Sequence, residues 1–202
     1  MKGISFNKLM FYATIEGRKT QTRRIMKPQP VYDIDGYPIA DWDLLCKPRY
    51  KVGETVYIKE PYRYCSVHNI CYIWANECSR TYCDRGTKIN LGAITMPAKY
   101  ARFFIEITDV RCERLQDITD SDCVKEGILI NDAYDNNVRD KKIFVSSSCY
   151  IVKFAEHIDS IYGKKTWESN PYVWVYTYKL KTKTFDEILE DNKDVLMRLK
   201  NK

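Results

Sequence analysis

The chain has 202 residues, 45% of them hydrophobic and 30% charged, which suits one domain with a substantial core and excludes a wholly disordered chain. No apolar stretch approaches the ~18 residues of a membrane span, and Met1-Lys2-Gly3-Ile4-Ser5-Phe6 lacks the apolar run of a signal peptide. A cytoplasmic location with no membrane partner is therefore expected, and the eight cysteines are expected as reduced thiols. The net charge of +6 is uneven, because residues 1–100 hold 16 Lys/Arg against 9 Asp/Glu whereas residues 101–202 hold 17 against 18.

In chain order, Phe6, Leu9, Met10 and Ala13 have helical spacing, and with Asn7 as cap and Gly17 as stop they predict a helix over about 7–16. Residues 28–50, rich in Pro, Asp and Tyr, read as an excursion. Val52–Glu60 is a turn feeding an alternating strand, and Tyr72-Ile73-Trp74-Ala75 is a further short strand. Ala101–Val110 predicts a strand, and Asp117–Asp122 offers caps for a helix ending near Gly127. Residues 131–148 are Ser/Asn/Asp-rich and read as a mobile insertion. Tyr150, Phe154, Ile158 and Ile161 share a helix face, Tyr172–Tyr178 is the last strand, and about 184–200 is a charged amphipathic helix. Strands and helices without a regular βαβ rhythm predict a small α+β barrel with peripheral helices. The expected domain covers 1–180, with insertions near 28–50, 61–95 and 129–149 and a helical appendage at 181–202.

The densest positive charge is Arg18, Lys19, Arg23, Arg24 and Lys27, uninterrupted by any acid. Such a run attracts phosphates or other anions, and the 16 tyrosines offer polar-tipped rings on which bases can stack. Thr20 and Thr22 lie inside it, and if 20–24 is extended, Thr22 and Arg24 share a face while Lys19 curls back from the turn. A lysine beside a threonine hydroxyl can act as base once burial lowers its pKa, with an acid nearby to carry protons. A solvated basic surface is the plainer alternative.

The segment Gly17-Arg18-Lys19-Thr20-Gln21-Thr22-Arg23-Arg24 resembles the N-terminal motif of the ASCH family, which has a PUA-like β-barrel fold. YKVGETVYIKE at 50–60, RFFIEITDVRCERLQDITDSDCVKEGI at 102–128 and IYGKKTWESNPYVWVYTYK at 161–179 follow in that family's order, in a long form that looks like phage and prophage members. Some small members are amidohydrolases that deacetylate N4-acetylcytidine. Their Arg-Lys-Thr-x-Thr-x-Arg pattern implies a catalytic lysine at Lys19, a nucleophilic threonine at Thr22 and a substrate-side arginine at Arg24. Their glutamate, carried from Leu115-Gln116-Asp117-Ile118-Thr119, falls on Glu126. Arg18, Thr20, Arg23, Arg24 and Lys27 are then the expected contacts to RNA or a modified nucleoside, with no cofactor and no obligatory protein partner. The fold also hosts non-catalytic RNA binders, so an RNA-binding module and a phage accessory protein binding a host factor or nucleotide are the competing readings.

Cys65, His68, Cys71, Cys78 and Cys83 lie within nineteen residues, and Cys65-x-x-His68-x-x-Cys71 has zinc-like spacing. No paired C-x-x-C knuckle accompanies it, and alternation with Val67, Ile70, Tyr72 and Ile73 suits a hairpin, so reduced structural cysteines and no metal are expected. Cys46, Cys112, Cys123 and Cys149 read as small apolar residues, and His157 as a boundary residue on its helix.

Overall fold

The structure is a computed structural model that describes residues 1–31, 35, 47–65, 69–72, 89–129 and 148–182. Its elements are β1 (Gly3–Ser5), α1 (Lys8–Ile15), β2 (Gln21–Ile25), β3 (Thr55–Lys59), β4 (Tyr62–Cys65), β5 (Asn69–Tyr72), β6 (Ile89–Leu91), β7 (Phe103–Arg114), α2 (Asp120–Lys125), α3 (Ser148–Tyr162) and β8 (Tyr172–Thr182). The strands form a mixed five-stranded sheet in the order β1-β3-β7-β8-β2 and a three-stranded sheet in the order β5-β4-β6. With its few helices this is an α+β fold. The strand at the C-terminal end lies inside the larger sheet, between β7 and β2. The expected C-terminal helix, most of the 28–50 excursion, residues 73–75 of the expected short strand and the 131–147 part of the expected insertion lie outside the described residues. Among the described residues no helix is long and apolar enough to cross a membrane.

The chain divides into two compact units, one drawn from the described parts of Met1–Ile15, Gly53–Glu106 and Lys179–Lys202, the other from those of Glu16–Val52 and Ile107–Tyr178. In the first, the Asn7 side chain accepts from Met10 N at 2.9 Å, so the expected cap forms and α1 begins one residue after it. The buried face of α1 is Met10, Phe11, Ala13 and Thr14, whereas Leu9 is 74% exposed. The apolar stripe is thus turned toward Phe11, leaving Leu9 on the wet side. β3 pairs parallel with β1 and antiparallel with β7. Val56, Tyr57 and Ile58 are all buried where strict alternation was expected, so both faces of β3 are covered. The Tyr57 hydroxyl donates to Met96 O at 3.0 Å, and the fully buried Glu60 accepts from Arg102 at 2.9 and 2.6 Å.

The second unit is built on β2 and β8, antiparallel with Thr22 opposite Tyr176 and Arg24 opposite Trp174. Val173, Val175, Tyr176 and Tyr178 are buried in β8, and Leu115, Ile118, Cys123, Phe154 and Ile158 complete its apolar core. On α3 the expected face holds at Phe154 and Ile158, but Ile161, in the last turn, is 46% exposed. α2 has well-formed ends. Thr119 caps it by accepting from Asp122 N at 3.2 Å. At the other end Ile128 N bonds to Cys123 O and Gly127 N to Val124 O, with Gly127 at φ +85°. This is the Schellman pattern, whose left-handed residue favours glycine, and it sets Glu126 as the C-cap.

Thr119→Ala removes the cap from the helix that carries Glu126. The expected loss is about 1 kcal/mol of unfolding free energy in urea titration, with an unchanged m-value.

Candidate functional site

Residues 19 and 20 are fastened from both sides. Thr20 N donates to Lys125 O at 2.8 Å, at the C-terminal end of α2, and Thr20 O accepts from Tyr178 N at 2.9 Å, on β8. Gly17 at φ +76° makes the turn that brings the chain there after α1. Lys19 therefore enters beside the C-cap of α2, where backbone carbonyls lack helical partners and a cation is favoured. Its Nζ donates to Glu126 O at 2.7 Å and to Glu126 Oε2 at 2.5 Å. Lys19 and Glu126 are 3% and 5% exposed, so this is a buried ion pair.

Glu126 has a second cation. Arg23 Nη1 donates to Glu126 Oε1 at 3.1 Å and to Gln21 Oε1 at 2.9 Å. Arg23 Nε and Nη2 reach Glu113 Oε1 at 2.9 and 2.6 Å, and Nη2 also reaches Asp122 Oδ2 at 3.3 Å. The guanidinium lies 5.8 Å from the Phe154 ring centroid. Glu113 Oε2 accepts from Arg111 Nε at 2.9 Å, and Arg111 approaches Asp122 Oδ2 at 3.6 Å.

The electrostatics follow from burial. Desolvation pushes Lys19 below its ordinary 10.5, assisted by Arg24 and Arg23 and opposed by Glu126. Burial alone would raise the Asp122 carboxyl, but Arg23, the Thr119 hydroxyl, Arg111 and Lys125 together hold it below the usual carboxylate value. His157 on α3 is lowered by burial and by Lys19, with Glu126 opposing. Burial pushes the Cys123 thiol up to about 12, which makes it a poor nucleophile at neutral pH.

The structure brings Lys19 and Glu126 together as the resemblance implied. Thr22 is 4% exposed on the neighbouring strand. Opposite residues of paired strands share a face, so Thr22 and Arg24 lie with Tyr176 and Trp174, away from Gln21 and Arg23. That face also carries Arg49, whose backbone N donates to the Tyr176 hydroxyl at 3.0 Å, and Tyr50, whose ring lies 5.1 Å from that of Tyr176. Of the expected nucleic-acid contacts, Arg18 is paired with Glu16 at 2.6 Å on the surface, Thr20 and Arg24 are half-buried, and Lys27 is exposed. Arg23 is buried among carboxylates. Trp167 is half-buried against Phe154, and Lys164 and Lys165 stand exposed on a turn.

His68, Cys78 and Cys83 of the weighed zinc cluster lie outside the described residues, while Cys65 and Cys71 are described only as backbone of β4 and β5. Cys123 is fully buried, as a small apolar residue would be, but Cys112 is exposed. The acids Glu113 and Asp122, and the electrostatic influence of the pair on His157, have no signature in the sequence pattern. Glu113 lies beyond the expected strand, Asp122 reads as a helix-cap residue and His157 as a helix boundary.

No family model matches the chain, and no curated protein matches it. A solved structure, protein EF3133 from Enterococcus faecalis V583, of family model DUF984, is similar with a TM-score of 0.43 and 10% identity, over 92% of this chain and 83% of that one.

Two expectations follow for stability. Glu126→Leu strands both Lys19 and Arg23 and should cost about 3–5 kcal/mol in urea denaturation, whereas Lys19→Met leaves Glu126 with Arg23 and should cost less. Because the folded Lys19 pKa is lowered, between that value and 10.5 the unfolded chain holds a proton that the folded chain has released. The Lys19 contribution to stability therefore rises with pH across that window. A pH series of denaturation curves should show the rise in the parent protein and its loss in Lys19→Met.

Proposed function

We propose that the protein is an RNA- or nucleoside-directed amide hydrolase of the ASCH type, on a small PUA-like barrel, that deacylates an N4-acetylcytidine-like substrate. The observation that carries this reading is the buried Lys19–Glu126 pair at 2.5 Å, with the buried Thr22 three residues after Lys19 in the chain. Taking two ions out of water costs several kcal/mol each before their attraction is counted, and well-packed apolar residues would stabilise the same volume at least as well. Such a pair is understandable where a proton has to be moved.

In the proposed reaction Lys19, as the neutral amine, takes the proton of Thr22 Oγ, and that oxygen attacks the amide carbonyl. Arg24 or a backbone N–H stabilises the oxyanion. The tetrahedral centre collapses by breaking the C–N bond, with the Lys19–Glu126 pair returning the proton to the leaving nitrogen. Water, deprotonated by the same pair, then cleaves the acyl-threonine ester and regenerates the hydroxyl. The sum is amide plus water to amine plus carboxylic acid.

The charge pairing favours this reading over a phosphate-gripping surface. Of the five cations in the basic run, Arg18, Lys19 and Arg23 are each engaged by carboxylates of the protein itself. A grip on phosphate draws on cations that are free to displace counterions.

Hydrolysis of N-acetylcytidine by the purified protein is the test, with kcat expected to fall at least about a thousandfold in Thr22→Ala and in Lys19→Ala. An inactive parent protein whose RNA binding weakens steeply with salt and survives Thr22→Ala would replace the hydrolase with a binding module.

A further inference from the structure

The Arg23 guanidinium has five N–H donors, and each has an acceptor. Nε takes Glu113, Nη1 takes Gln21 and Glu126, and Nη2 takes Glu113 and Asp122, at 2.6 to 3.3 Å. Its side chain is 1% exposed, so its place is inside the protein and not against a ligand. The acceptors come from β2, β7 and the two ends of α2. Glu113 continues outward to Arg111, which is 36% exposed. Charges of alternating sign thus run in file from Arg111 at the surface through Glu113, Arg23 and Glu126 to Lys19.

We infer that Arg23 is a positioning residue for the Lys19–Glu126 pair, clamped by Glu113 and Asp122 so that it holds Oε1 of Glu126 and leaves Oε2 to Lys19. The inference deepens the hydrolase reading and rests on it for the catalytic consequence, but the electrostatic consequence stands without any substrate. Glu126 bonded through one oxygen to a cation with no proton to give has only Lys19 as a partner for proton exchange. A lysine at position 23 would keep the charge yet has three donors where five acceptor contacts are made. The fork, and not the charge alone, therefore sets the carboxylate's orientation. A purely structural role is the competing account, and it predicts loss of stability with no change at Lys19.

Among the described residues, the charged groups that act on Lys19 include Glu126 at the α2 C-cap and Arg23 and Arg24 on β2, and Lys19 in turn acts on His157 of α3. NMR titration of the Lys19 side chain, with labelled lysine and the Lys19→Met variant to assign its signal, reads this environment directly. Arg23→Gln removes a repelling cation and releases Glu126 Oε1, so the Lys19 midpoint should rise by about one pH unit. Glu113→Gln removes an anion and uncompensates Arg23, so the midpoint should fall. Should Arg23→Gln fail to fold, Glu113→Gln, nearly isosteric, decides alone. A Lys19 midpoint unmoved in the folded variants, with Tm alone reduced, overturns the inference. In N-acetylcytidine hydrolysis, Arg23→Lys should lower kcat on the order of tenfold with KM little changed, since the residue acts through Glu126. An equal loss carried by KM alone would overturn the positioning role. Absence of turnover in the parent protein would sink the hydrolase reading while the titration still decides the clamp.

Discussion

One carboxylate shared by two buried cations organises the second unit. Glu126 would be costly to bury alone, and Lys19 or Arg23 equally so. Glu126 Oε2 meets Lys19 and Oε1 meets Arg23, and the remaining donors of Arg23 are spent on Glu113, Asp122 and Gln21. Most of the local backbone serves this arrangement. The Schellman closure at Gly127 ends α2 at Glu126, and the bonds of Thr20 to Lys125 and Tyr178 hold the preceding lysine against that end. A slip of one residue in β2 would exchange its two faces and carry Arg23 away from all three acids. The register of β2 against β8 is therefore a condition of the ion cluster, not a background detail.

Strand alternation also divides the work of the basic segment. Gln21 and Arg23 turn to the acids, as the bond between them confirms, while Thr22 and Arg24 turn to the face of Tyr176 and Trp174. Lys19 lies before the first residue of β2 and is free of its alternation. It can reach the C-cap of α2 independently of the face that Thr22 takes. The motif thus combines a residue set by the turn with residues set by the strand. That explains why lysine and threonine stand three apart, and not two, when they belong to neighbouring surfaces.

Much of the framework was legible in the residues. Asn7, Thr119 and Gly127 announce helix ends through local hydrogen bonding and backbone conformation, which depend on few neighbours. The strands at β3, β7 and β8 are rich in β-branched and aromatic residues and appear where expected, with β7 running on to Arg114. Lys19 with Glu126 was accessible only through the family resemblance, since 107 residues separate them. Arg23 was the residue least open to sequence reading. It stands in a run of cations and invites a nucleic-acid role, yet its acids come 90 to 103 residues later from a strand and a helix. Leu9 and Ile161 show the same limit on a smaller scale. Spacing identifies a helical stripe, but which edge of it is covered depends on what packs there.

A contrast within the molecule clarifies what kind of ion pair Lys19–Glu126 is. In the first unit, Glu60 is as deeply buried and receives two bonds from one side chain, Arg102. That pair is a fork on a carboxylate, strong in geometry and unable to exchange a proton, because a guanidinium stays charged at any pH the fold would survive. Replacing one oxygen's partner by a lysine changes the chemistry. The ammonium can surrender its proton, and burial makes that easier. Glu126 combines both arrangements, with an arginine on one oxygen and a lysine on the other. A structural salt bridge has no need of that asymmetry. The proposed hydrolase would, because it must keep the carboxylate still while the proton beside it changes hands.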